Sequence, residues 1–123
     1  DWQTSFLPPL LKNIYHKNDY YKNIKTVFIL HSIDQHRFVS DKSLEYISLS
    51  SESKKEDMLE KAIKFSDYLI IVDDENKKNQ KLFNKTKNLV SASRKSKTMF
   101  LEVSQSTSWS KISKKVETLL RKI

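Results

Sequence analysis

The chain has 123 residues (14.6 kDa), 37% of them hydrophobic and 31% charged, and a formal net charge of +8; that is one domain's worth of chain with enough apolar material for a core. It contains no glycine, where average usage predicts roughly eight or nine, and no cysteine. The first absence excludes a GxGxxG or GxxxxGK(S/T) loop that lets backbone close on a phosphate, and the second excludes disulfides, thiolate zinc sites and cysteine nucleophiles.

In chain order, Trp2, Phe6, Leu7, Leu10, Leu11, Ile14 and Tyr15 recur at helical spacing and predict a first helix, its start restricted by Pro8 and Pro9. Thr26-Val27-Phe28-Ile29-Leu30 is a short β-branched and apolar run that reads as a buried strand, followed by a loop over 31–40. Asp41 is placed to cap a short helix through Leu49. Ser53-Lys54-Lys55-Glu56 matches a capping box ahead of a helix whose inner face is Met58, Leu59, Ala62, Ile63 and Phe65. Tyr68 to Val72 reads as a second buried strand ending at Asp73-Asp74. This longest apolar run is far below the ~20 residues that span a bilayer. Leu82, Phe83, Leu89 and Val90 form the narrow stripe of a single lysine-rich third helix, and Thr98 to Val103 a third strand. Ile112, Val116, Leu119, Leu120 and Ile123 mark a terminal amphipathic helix with Ser108 as its cap. Strands separated by such helices pair in parallel through right-handed crossovers, so the expectation is a small α/β fold with about three parallel strands.

Charge is unevenly placed. Residues 1–62 carry nine basic and nine acidic residues, whereas 63–123 carry fourteen and six. Lys77, Lys78, Lys81, Lys85, Lys87, Arg94, Lys95 and Lys97 fall in one stretch without an acid. Such a stretch is either a solvated face or a contact for a polyanion, RNA included, or for an acidic partner. Lysine outnumbers arginine twenty to three, which disfavours sequence-specific nucleic-acid reading, since bidentate forks need arginine.

Two further stretches carry a resemblance. Asp1-Trp2-Gln3-Thr4-Ser5 followed by Leu7-Pro8-Pro9-Leu10-Leu11-Lys12, and Tyr21 to Ile33 (YKNIKTVFILHSI), resemble bacterial glycogen synthase and plant-type starch synthase. There an H-D-W-(H or Q)-T motif opens a helix and a later strand ends in T-V-F-x-I-H-N-I-A-Y-Q-G. Asp41 to Leu49 and Lys61 to Tyr68 (KAIKFSDY) are similar to later family segments, the latter to K-A-G-I-x-x-A-D, so the similarity covers about 1–74. The end, from Ser108-Trp109-Ser110-Lys111, is a four-residue echo of the family's closing helix, and 75–108 matches nothing in the pattern.

The resemblance implies a Rossmann-like three-layer fold, with 1–123 as one truncated piece of the N-terminal half of an ADP-glucose-dependent glucan synthase. It also implies substrate-facing roles for Asp1 and His31, the latter facing the sugar donor. The departures point away from catalysis. Ser32 replaces the motif's asparagine, Asp34-Gln35-His36-Arg37 replaces A-Y-Q-G, and Ile70 to Asp74 stands where the family has T-T-V-S. The family's K-x-G-G donor loop and second Rossmann half are not in this sequence. The expectation is a degenerate, non-catalytic domain serving as a structural or interaction subunit of a larger assembly through its basic helices. The alternatives are an excerpt of an active synthase, taking ADP-glucose and α-glucan, and a basic subunit contacting RNA in a ribonucleoprotein.

No cofactor is expected. His31, Asp34 and His36 lie within six residues but lack a catalytic metal spacing such as HExxH, so no metal is assigned. None of the seventeen serines sits in a nucleophile motif. Asp73-Asp74 reads as the cap of the following helix rather than a magnesium site, and Trp2 and Trp109 as core or interface anchors. With no bilayer-spanning run and no visible signal peptide, the expected setting is intracellular, with a plastid or mitochondrion open because position 1 is Asp1 and a targeting peptide could precede it.

Overall fold

The structure is a computed structural model that describes residues 4–33, 38–40, 55–104 and 106–122. Its centre is a three-stranded parallel sheet made of β1 (Val27–Leu30), β4 (Tyr68–Asp73) and β5 (Lys97–Glu102), in the order β1-β4-β5. Val27 pairs with Tyr68 and Leu30 with Ile71, while Tyr68 pairs with Lys97 and Asp73 with Glu102. Helix α1 (Leu7–Asn13) precedes the sheet and α2 (Met58–Phe65) crosses from β1 to β4. Helices α3 (Lys78–Lys85) and α4 (Lys87–Ala92) cross from β4 to β5, and α5 (Trp109–Leu120) closes the chain.

Both crossovers step in the same direction across the sheet. A right-handed connection then puts α2, α3 and α4 on one face. The core shows it: Phe28 and Leu30 of β1 and Leu69 and Ile71 of β4 join Leu59, Ala62, Ile63, Phe83 and Leu89 from those three helices in one buried cluster. The intervening Tyr68 and Ile70 point to the opposite face, where the Tyr68 hydroxyl donates to the Lys122 carbonyl just beyond α5 (3.3 Å). Ile112, Val116 and Leu119 of α5 are half-buried. The expected small α/β, Rossmann-like layering is therefore present.

Local differences from the expected pattern have local causes. Residues 38–40 are not loop: β2 (Phe38–Ser40) pairs antiparallel with β3 (Lys55–Asp57), in a second small sheet. The capping box expected at Ser53 is displaced, because β3 runs to Asp57 and Asp57 itself caps α2, accepting from the amides of Leu59 (3.1 Å) and Glu60 (3.2 Å). Asp57 and Glu60 have the same i, i+3 polar spacing one turn later, which the sequence reading passed over. The helix expected over Asp41 to Leu49 lies outside the described residues.

The lysine-rich helix is two helices. At Thr86 the backbone turns extended (ψ 91°), and the Thr86 hydroxyl donates to the Leu82 carbonyl (2.8 Å). Phe83 and Leu89, six residues apart, would lie about 120° apart around a straight helix; the break lets both enter the core, while Val90 stays 36% exposed. Ser108 occupies the N-cap position of α5, yet its side chain makes no capping hydrogen bond. Trp109 is 81% exposed and is not a core anchor; Trp2 lies outside the described residues.

Candidate functional site

Parallel pairing brings the C-terminal ends of β1, β4 and β5 to one rim of the sheet, the rim where open α/β folds bind ligands. A cleft of about 440 Å³ opens there, lined by His31 and Ser32 after β1, Val72 to Asp74 after β4, Lys78 and Asn79 of α3, and Val103 after β5. His31 and Lys78, drawn from separate candidate groups in the sequence, share this cleft, and both are exposed. Asp1, Asp34 and His36 lie outside the described residues. Among the described residues no group of three His, Asp or Glu side chains is placed to hold a metal ion, and no helix is long and apolar enough to cross a membrane.

The polar groups that organise the cleft are Asp73 and Asn79. Asp73 is only 7% exposed. Its carboxylate accepts from the backbone amides of Asn79 (3.2 Å) and Gln80 (2.7 Å), two of the amides left unsatisfied at the start of α3. The amide of Asp74 also donates to it (3.1 Å). Asp73 thus caps α3 from six residues upstream, as expected of Asp73-Asp74. The residue at the N-cap position is Lys77, in the left-handed region (φ 54°, ψ 40°), where glycine would sit without strain. The Asn79 side-chain amide donates to the carbonyls of Val72 (2.9 Å) and His31, tying the ends of β1 and β4 together. Asn79 carried no signal in the sequence: an asparagine in a polar stretch looks like any other until two strand ends meet at it.

A second polar centre sits at the opposite end of the strands. The Asp67 carboxylate accepts from the Thr26 amide (2.8 Å), the Thr26 hydroxyl (3.1 Å) and the Lys12 ammonium (2.9 Å), and Lys12 also donates to the Ile24 carbonyl (3.1 Å). Partial burial pushes the Asp67 carboxyl upward, but the Thr26 amide, the Lys12 ammonium and the Thr26 hydroxyl outweigh it and hold the group below its ordinary value. This knot fastens α1 to the entries of β1 and β4.

The eight basic residues from Lys77 to Lys97 are all exposed, spread over the N-cap and body of α3, α4, the short 3-10 turn Ser93–Lys95 and the first residue of β5. Among the described residues none of them forms an ion pair. Lys97 stands over the Tyr68 ring (5.5 Å). The rest present charge to solvent.

The sequence comparisons agree with this architecture. The family model for the starch synthase catalytic domain matches residues 1–89. That reaches past the expected limit near residue 74 and takes in α3 and its cap, a stretch that the motif reading left unmatched. A glycogen synthase of Lachnoclostridium phytofermentans is 32% identical over 84 residues, covering 60% of this chain and 18% of that protein. One of Alkaliphilus metalliredigens is 52% identical over 33 residues, 27% of this chain and 7% of that protein. The chain spans less than a fifth of the length of these curated relatives. No solved structure matches it significantly. With the family model covering 1–89 of 123 residues on a parallel α/β sheet, the chain belongs to the starch synthase catalytic domain family.

Proposed function

We propose that this chain is a degenerate, non-catalytic member of its family, acting as a structural or interaction subunit of a larger assembly that it meets through the basic face of α3 and α4. The observation that carries the reading is Asp73. In an open α/β fold the helix N-terminus behind a strand end is a natural seat for a phosphate, because unpaired amides and the helix dipole both favour an anion. Here the buried Asp73 carboxylate already takes the amides of Asn79 and Gln80. The backbone around it has no glycine to open a wider cradle, and even the left-handed position is filled by Lys77. This rim is built to hold itself together.

The basic face supports the interaction half of the reading. Eight exposed cations without an ion-pair partner favour an acidic protein surface or a phosphate backbone. The decisive experiment supplies the purified chain with ADP-glucose carrying labelled glucose and a glycogen primer. Label in the polymer should stay at the level of a protein-free blank; incorporation above it would overturn the proposal.

One observation favours a second reading, an active synthase of which this chain is an excerpt: it spans 18% or less of the relatives' length. In a longer polypeptide that transfers glucose, His31→Ala, at the mouth of the rim cleft, would abolish transfer on this reading and leave it intact otherwise.

A further inference from the structure

Lys97 and Val103 donate their amides to the Asp67 and Asp73 carbonyls at the two ends of β4 (3.0 and 2.8 Å), so the odd-numbered residues of β5 turn their backbone groups toward β4. Successive residues of a strand alternate, and the amides and carbonyls of Thr98, Phe100 and Glu102 therefore face outward. β5 is last in the sheet order, and no described strand lies beyond it. Thr98 and Glu102 are exposed and Phe100 is 41% exposed. The outer side of β5 is thus a row of open donors and acceptors at strand spacing.

Proteins ordinarily blunt such an edge with a bulge, a proline or a charge in mid-strand, because an open edge is a template for another strand. β5 has none of these. Its pairing with β4 runs unbroken from Tyr68–Lys97 to Asp73–Glu102. The strand holds no proline, and its only charges, Lys97 and Glu102, stand at the ends of the uncharged Thr98-Met99-Phe100-Leu101.

What matches the row is another main chain, since a nucleic-acid backbone supplies acceptors but no amides at that spacing. Charge selects which main chain. The Phe83 ring of α3 meets the Phe100 ring edge to face, 6.3 Å between centroids, so the lysine-rich helix runs beside the edge. Arg94, Lys95 and Lys97 lead into the strand, none of them ion-paired among the described residues. A second copy of the chain is disfavoured: antiparallel pairing of β5 with its own image about a two-fold axis keeps both sets of basic helices on one face, cations against cations. We propose that the outer edge of β5 is a strand-addition site, at which an extended acidic segment of another protein joins the sheet as a fourth strand. The main chain supplies the affinity and the acidic side chains, facing the basic helices, supply the selectivity. The proposal rests on the interaction half of the reading above and names the partner's chemistry and its mode of docking.

The test is amide NMR of the full chain titrated with a capped peptide of alternating glutamate and valine. The Thr98, Phe100 and Glu102 amides, open to exchange in the free chain, should become protected from hydrogen exchange, and a peptide of alternating lysine and valine should give no such protection. N-methylating one alternate set of the acidic peptide's amides should weaken binding roughly tenfold or more, and N-methylating the other set should not, because only one set faces β5. Thr98→Pro, which removes an outward donor without touching the ladder to β4, should weaken binding to a similar extent. An acidic peptide that leaves those amides unprotected would overturn the proposal, as would equal effects of the two methylation patterns, or protection that rises with the concentration of the chain alone, the mark of self-pairing. Labelled glucose decides the non-catalytic reading and heparin binding reports on the basic face by itself, so failure here is distinguishable from failure of either.

Discussion

The Lys12 ammonium lies 2.9 Å from the Asp67 carboxylate, joining the last turn of α1 to the entry of β4 across 55 residues of sequence. Around that pair Thr26 contributes two more hydrogen bonds, so one carboxylate fixes the relative position of α1, β1 and β4.

The Asp67 pair sets an acid limit. The folded carboxyl titrates below its ordinary value, so its contribution is complete above the unfolded value near ~3.9 and disappears as pH falls through the lower folded value. Urea midpoints of the parent should drop on acidification below about pH 4, and Asp67→Asn should flatten that drop. At pH 7 the same substitution should cost about 1.5–3 kcal/mol, the range for hydrogen bonds to a charged group.

Lys77 is a site of avoidable strain. Its left-handed backbone (φ 54°) costs a side-chain-bearing residue about 1 kcal/mol that glycine does not incur. Lys77→Gly should raise stability by roughly 0.5–1 kcal/mol, read as a higher urea midpoint with an unchanged slope.

Asp73 can be tested as an internal anion. Asp73→Ala should lower stability by about 1–2 kcal/mol through the lost cap, and it should leave the Asn79 and Gln80 amides open. Millimolar phosphate should then raise the melting temperature of Asp73→Ala while leaving that of the parent unmoved. Equal shifts in both would show that those amides are not where the anion sits.

The basic face should behave as a surface. Lys81→Glu, Lys85→Glu and Lys87→Glu together should leave the urea midpoint within about 0.5 kcal/mol of the parent. They should weaken binding to heparin, and flatten the fall of affinity with added salt by about one logarithmic unit per lost contact.

The core strands were legible because each is a short apolar run whose burial needs no partner to be specified: Tyr68 to Asp73 is buried on both faces of the sheet, while Val27 to Leu30 buries Phe28 and Leu30 and leaves Ile29 41% exposed. Family membership was legible for the same reason, since motif residues at the first helix and first strand keep their order and spacing. The boundaries were not. Whether Ser53 or Asp57 capped α2 depended on β3 pairing with β2, a contact between residues 15 or more apart in the chain.

Sequence alone determined the chemistry that this chain lacks, because no fold supplies a glycine or a thiol that the sequence omits. It also determined that positive charge gathers in one stretch. Tertiary structure decided what the remaining polar residues are for. Asp67 and Asn79 are ordinary in sequence, and each takes its role from groups that only chain crossing brings within hydrogen-bond reach. A hydrogen bond acts over about 3 Å, so its partner is set by where the backbone returns.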